Sequence, residues 1–161
     1  MSFNDPIVAR IVPFLERIGI AVIAEPVADD TLLPGATVRH GALIFDPDRL
    51  PWPGDLLHEA GHIAVTDPAH RQSRPEVDGD PSEEMAAMAW SYAAAIEIGI
   101  DPAIVFHDGG YKGGGATYLN SYRSGGGIGV PMLQYYGMTA ETHQAASLAR
   151  PAFPAMARWL R

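Results

Sequence analysis

Cysteine is absent from this chain of 161 residues, so it can form neither disulfide bonds nor a thiolate metal site. Basic residues are scarce, and the formal net charge of −8 opposes non-specific binding to nucleic acid or to an anionic membrane. The longest weakly apolar stretch, residues 85–96, is too short to span a bilayer, and no secretory signal pattern begins the chain. These absences predict a cytoplasmic protein that binds neither nucleic acid nor a membrane.

The most informative positive feature is the motif HEAGH at residues 58–62. Residues four apart on a helix share a face, with about 5–6 Å between β-carbons, so His58 and His62 can both reach one zinc ion. Glu59 points about 100° round the helix from His58, where it is placed to act as a general base and not as a ligand. Gly61 costs about 1 kcal/mol relative to alanine inside a helix, which predicts that another element packs closely there.

Two neighbouring acids, Glu83 and Glu84, are candidates for the third protein ligand that a catalytic zinc takes. They open a second predicted helix, which Asp80 caps and Pro81 begins. Glu83 falls where a glutamate can reach back to the backbone amide of the cap residue. The helix face of Glu84 continues through small and apolar residues, so Glu84 is favoured as the ligand and Glu83 remains the alternative.

The combination of HEAGH on one helix and a glutamate at the start of the next resembles the gluzincin group of zinc metallopeptidases. Within that group, residues 84–91 (EMAAMAWS) resemble the ExxAxxFA signature of ImmA/IrrE-type peptidases, with Trp90 and Ser91 where Phe and Ala are usual. The resemblance covers roughly residues 41–99. No family resemblance extends into the last sixty residues.

This resemblance implies a zinc-dependent peptidase that acts on a peptide or protein substrate. The residues that it assigns are His58, His62 and Glu84 as ligands of Zn²⁺ and Glu59 as catalytic base. It also implies a zincin-like α+β fold with a small N-terminal sheet, the active-site helix and a Glu-bearing helix, and the length of the chain predicts that residues 1–161 form a single domain. A rival hypothesis is a non-catalytic, metal-clipped regulatory or protein-binding module. Glu59 favours catalysis, because a structural site needs no base. The sequence sets no oligomeric state.

The N-terminal half is predicted to contain a helix over residues 5–18, interrupted at most by Pro13, and short strands at 21–24, 38–39 and 41–45. In zincin-like folds an edge strand beside the metal can bind an extended peptide as an additional strand. Residues 41–45 are the candidate for that strand, although an ordinary buried strand is an equally good interpretation. The HEAGH helix is predicted from about residue 53 to residue 67.

Residues 109–129 are unusually rich in glycine and are predicted to form either an exposed disordered loop or a lid beside the zinc. In the lid hypothesis, three side chains are candidates to stabilise the oxyanion of the attacked carbonyl: His107, Tyr111 and Arg123. Other histidines receive no such role. His70 is predicted to be a solvent-exposed histidine in the loop 67–80. His143 is predicted to be structural on a helix over 139–149, followed by a tail that packs on the core.

Overall fold

Seven α-helices and a three-stranded sheet form a mixed α+β fold in the part of the chain that the computed structural model describes, residues 4–28, 31, 33–75 and 80–161. The N-terminal half contains α1 (Val8–Arg17), β1 (Val22–Ala24), β2 (Ala36–Arg39), β3 (Ala42–Phe45) and α2 (Asp55–Val65). The remainder contains α3 (Pro81–Ile98), a 3-10 turn (Pro102–Ile104), α4 (Asp108–Tyr111), α5 (Gly115–Arg123), α6 (Val130–Tyr135) and α7 (Ala145–Leu148). The α+β class is therefore confirmed. None of the described helices is long and apolar enough to cross a membrane.

The sheet has the order β1-β3-β2, in which β3 pairs parallel with β1 and antiparallel with β2. The prediction that residues 41–45 form an edge strand is therefore wrong, because β3 has a neighbour on each side. Its residues Leu43, Ile44 and Phe45 are buried, as expected of a central strand covered on both faces. Among the described residues, the outer strands of the sheet are β1 and β2, and β2 packs against α2.

Helix α1 confirms the helix predicted over residues 5–18. The carboxylate of Asp5 accepts hydrogen bonds from the backbone amides of Ile7 and Val8, which satisfies donors that the first turn leaves free. Pro13 is accommodated inside the helix on its exposed side. The buried side of α1 contributes Ile11, Phe14 and Leu15 to the core.

The two helices that carry the candidate ligands, α2 and α3, pack directly against each other. Helix α2 is buried along almost its whole length. A β-carbon added at Gly61 would lie 2.8 Å from the carbonyl oxygen and 3.1 Å from the Cα of Ala87. The glycine therefore allows the two backbones to approach closely, which confirms the close packing predicted at Gly61. This contact fixes the distance between the histidines on α2 and the acids on α3.

The glycine-rich segment 109–129 is not the exposed disordered loop that one of the two predictions described. It contains the end of α4 and all of α5, with Leu119 and Tyr122 buried against the core. Gly115 begins α5 where a β-carbon would lie 2.1 Å from the carbonyl oxygen of Phe106, so glycine serves close packing there. These helices were not predicted from composition, because glycine usually disfavours a helix interior.

The predicted helix over residues 139–149 is also wrong except for its last turn, α7 (Ala145–Leu148). Thr139 is buried and its hydroxyl donates to the carbonyl of Ala155 at 2.7 Å, so it does not cap a helix. Ala140 forms a parallel bridge with Ala152, and this pairing keeps the segment extended. His143 lies exposed in the turn before α7. The prediction for the C-terminal tail is confirmed, since the indole of Trp90 donates to the carbonyl of Trp159 at 2.9 Å.

Candidate metal centre

His58, His62 and Glu84 come together between α2 and α3 as a cluster that could hold a metal ion. The Nε2 atoms of the two histidines are 3.2 Å apart. The carboxylate of Glu84 lies 3.4 Å from His58 Nε2 through Oε1 and 3.0 Å from His62 Nε2 through Oε2. The histidine side chains are only 14% and 6% exposed, whereas that of Glu84 is 47% exposed. The cluster therefore opens toward solvent on its carboxylate side.

The chemistry and spacing of these three groups fit a tetrahedral zinc site. Zinc–nitrogen and zinc–oxygen bonds of about 2.0–2.2 Å require neighbouring ligand atoms to lie roughly 3.3–3.5 Å apart in a tetrahedron. The separation of 3.2 Å between the two Nε2 atoms is close to that requirement, and Glu84 brings one carboxylate oxygen to within 3.0 Å of His62 Nε2 and the other to within 3.4 Å of His58 Nε2. Burial, the largest cause, and the neighbouring His62 hold the pKa of His58 well below its usual range, so this imidazole is neutral and its lone pair is available near neutral pH.

The local sequence explains how Glu84 reaches the histidines. The Asp80 carboxylate accepts a hydrogen bond from the backbone amide of Ser82 at 2.8 Å, so α3 begins as predicted with Asp80 as its cap. Glu84 then lies in the first turn of α3, on the side that packs against α2. Its hydrogen bond to His62 is the largest cause that lowers the pKa of its carboxyl, and the carboxylate is ionised near neutral pH.

Glu83, the alternative ligand, points elsewhere. Its carboxylate is buried and pairs with the guanidinium of Arg74 at 2.6 Å. Instead of the predicted hydrogen bond to the backbone amide of the cap residue, Glu83 forms an ion pair with a residue of the segment between α2 and α3. Among the described residues, the cluster that could hold a metal contains Glu84 and not Glu83.

Glu59 is the acid beside the cluster, and its side chain is buried, with 6% of the residue exposed. Burial is the largest cause that raises the pKa of Glu59, to about 7, and the carboxylates of Asp55 and Glu84 raise it further against the opposing effect of His62. A carboxyl group with such a pKa can exchange a proton near neutral pH, which is the property that a general base requires.

His107, predicted as an oxyanion-stabilising residue, makes its contacts within the protein. Its Nε2 lies 2.8 Å from the Asp55 carboxylate, and its Nδ1 accepts a hydrogen bond from the backbone amide of Gly110 at 3.2 Å. Both ring nitrogens are therefore engaged within the protein, and the ring also stacks on Trp52 at 4.6 Å between centroids. The second oxygen of Asp55, Oδ2, is buried without a hydrogen-bond partner among the described residues.

Tyr111 does reach the centre, but its hydroxyl lies 3.2 Å from His58 Nδ1, on the side of the ring away from His62 and Glu84. Burial raises the pKa of Tyr111 above its usual range, so the hydroxyl stays protonated. Arg123, the third oxyanion candidate, is an exposed residue at the end of α5 and is not part of the cluster. His70 is exposed, as predicted.

Sequence reasoning missed Asp55 and Trp52, which surround His107. The available signal was the position of Asp55, three residues before His58 at the start of an otherwise apolar helix.

Comparison of the chain with protein-family models, curated proteins and solved structures finds no match.

Replacing Glu59 by Gln should change the pH dependence of folding of the metal-free protein. The folded-state pKa of Glu59, about 7, exceeds the ordinary value of 4.5, so its ionisation opposes folding as the pH rises between these values. Relative to wild type, Glu59→Gln should therefore gain about 3 kcal/mol of unfolding free energy between about pH 4 and about pH 8. Urea unfolding with a chelator present measures both proteins at both pH values. If the difference in unfolding free energy between the two proteins were the same at both pH values, the raised pKa of Glu59 would be contradicted.

Proposed function

We propose that this protein is a zinc-dependent peptidase that hydrolyses peptide bonds, with His58, His62 and Glu84 as metal ligands and Glu59 as general base. The observation that supports this most directly is a buried carboxylate, Glu59, next to a three-residue cluster that opens to solvent. A structural zinc site is usually closed by four protein ligands, whereas a catalytic site leaves one position for water or substrate.

The chain's own residues account for the proton transfers. Zinc bound in this cluster would supply Lewis-acid activation of a water molecule and of the scissile carbonyl. Glu59 accepts the proton of the attacking water, and then delivers it to the departing amine.

The structure also changes where an extended substrate would bind. Because β3 is central, the free edge of β2 replaces residues 41–45 as the proposed site of strand addition. A small pocket lies between β2 and α2, and its lining includes Val38 of β2 and His62 of the metal cluster. A peptide strand added along β2 would thus lie beside the ligands.

Metal content and peptide cleavage together test the proposal. Purified protein should contain one zinc ion per chain, and His58→Ala or His62→Ala should abolish this content. Zinc-loaded protein should cleave members of a broad peptide library, and a chelator should stop the cleavage. His143→Ala is a matched control, since this histidine is exposed and outside the cluster.

Two outcomes would contradict the peptidase proposal. Metal-free protein whose melting temperature does not change on addition of zinc would show that the histidines bind no metal. Stoichiometric zinc without cleavage of any library peptide would favour the metal-clipped protein-binding module.

A further inference from the structure

The contact between Tyr111 and His58 involves the nitrogen that the metal cluster does not use. His58 Nε2 faces His62 and Glu84, whereas Nδ1 faces the Tyr111 hydroxyl at 3.2 Å. A neutral imidazole carries one proton, and the nitrogen that binds a metal must be free of it. Metal binding through Nε2 therefore places the proton of His58 on Nδ1, where Tyr111 Oη is available as acceptor.

The position of Tyr111 is set by a chain of contacts that begins on the metal helix itself. Asp55, the first residue of α2, accepts a hydrogen bond from His107 Nε2 at 2.8 Å. The other nitrogen of His107 accepts from the amide of Gly110, so this ring caps α4, whose last residue is Tyr111. The Asp55–His107 pair thereby fastens α4 to the start of α2, three residues before His58.

Aromatic packing fixes the Tyr111 ring from the other side. Its centroid lies 5.1 Å from that of Phe106 and 5.8 Å from that of Tyr118. These separations are those of favourable aromatic pairs. The hydroxyl is therefore held against His58 by packing as well as by the cap of α4.

We propose that Tyr111 is a positioning residue of the metal centre: its hydroxyl accepts the Nδ1–H of His58 and fixes the ring so that Nε2 faces the ion. The two histidines differ in this respect. His62 Nδ1 is buried and has no hydrogen-bond partner among the described residues. Of the two histidines, it is therefore His58 whose Nδ1, the nitrogen away from the cluster, has a hydrogen-bond partner. This inference rests on the metal-binding part of the proposed function and is independent of peptidase activity.

Zinc affinity of Tyr111→Phe tests the inference, because the variant keeps the ring and removes only the hydroxyl. Loss of an outer hydrogen-bond partner of a metal histidine typically weakens metal binding by about 10–100-fold, and a decrease of that size is expected here. Tyr118→Phe is the matched control, since its ring belongs to the same aromatic group. It should bind zinc as wild type does. Competition with a chromophoric chelator gives the dissociation constants, and melting of the metal-free variants verifies that both fold.

Nitrogen NMR of zinc-loaded wild type provides a second measurement that needs no variant. The His58 ring should carry its proton on Nδ1, and this proton should exchange slowly with solvent. The same signal should exchange faster in Tyr111→Phe, an effect that lost ring packing alone would not produce.

Three results would overturn the inference: wild-type zinc affinity in Tyr111→Phe, equal losses of affinity in Tyr111→Phe and Tyr118→Phe, or a His58 proton on Nε2 in the zinc-loaded protein. Failure of the peptidase proposal is distinguishable from all three, because zinc affinity is measured without any peptide. Even if the protein binds zinc and cleaves no peptide, the zinc affinities of the variants still test the role of Tyr111.

Discussion

Glu59→Gln should lose hydrolysis while keeping metal and fold. Glutamine retains the size and hydrogen-bonding reach of glutamate but cannot accept the proton of the attacking water. General acid–base catalysis contributes about 10²–10⁴-fold, so the rate of peptide cleavage should fall by at least about 10²-fold. Zinc content should stay at the wild-type level, because Glu59 is not among the three clustered ligands. The measurement is single-turnover cleavage of a library peptide at equal zinc occupancy.

The comparison also decides whether the centre is catalytic. If cleavage by Glu59→Gln equals that of wild type, Glu59 is not the base. If zinc content falls together with activity, the mutation acts through the metal site and the rate does not report proton transfer. Glu141→Gln is a matched control for the chemical change, since that glutamate lies shortly before α7 and outside the cluster.

Glu84→Ala should lose zinc, whereas Glu83→Ala should retain it. Loss of a residue that hydrogen-bonds to a metal ligand weakens metal binding by about 10–100-fold. Removal of the ligand itself should weaken zinc binding by more than this. Zinc at about 1,000 times the wild-type dissociation constant stabilises the folded state by about 4 kcal/mol, and Glu84→Ala should lose most of this gain. The measurement is the shift in melting temperature on addition of zinc.

Glu83→Ala provides the control for that result, because the two acids are adjacent on α3. It removes the ion pair with Arg74 and should destabilise the protein with or without zinc. The stabilisation gained from added zinc should nevertheless match that of wild type. Loss of that gain in Glu83→Ala, with the gain preserved in Glu84→Ala, would reverse the assignment of the ligand.

The parts of the centre that the sequence predicted are those fixed by local geometry. The spacing of His58 and His62 determines that they share a face of α2, and the cap at Asp80 determines the helical phase of Glu84. Each of these relations extends over only a few residues along one helix. The sequence therefore favoured Glu84 and left Glu83 as the alternative, and the structure places Glu84 with the histidines.

The parts that failed depend on contacts between distant segments. The order of the sheet depends on parallel pairing of β1 with β3, about twenty residues away, which alternation within a strand does not encode. Helix α5 was hidden because glycine is needed at Gly115 for close approach to Phe106. The role of His107 depends on Asp55, 52 positions earlier in the chain. Only tertiary structure reveals such pairs.

The unequal exposure of the three proposed ligands has a kinetic consequence for metal exchange. The two imidazoles are almost fully enclosed, whereas about half of the Glu84 side chain is in contact with solvent. An incoming ion would therefore meet the carboxylate first, and a departing ion would leave by the same route after this oxygen ligand swings away. Small chelators that can approach the Glu84 side should accelerate release in proportion to their concentration, whereas bulky chelators should have to wait for spontaneous dissociation.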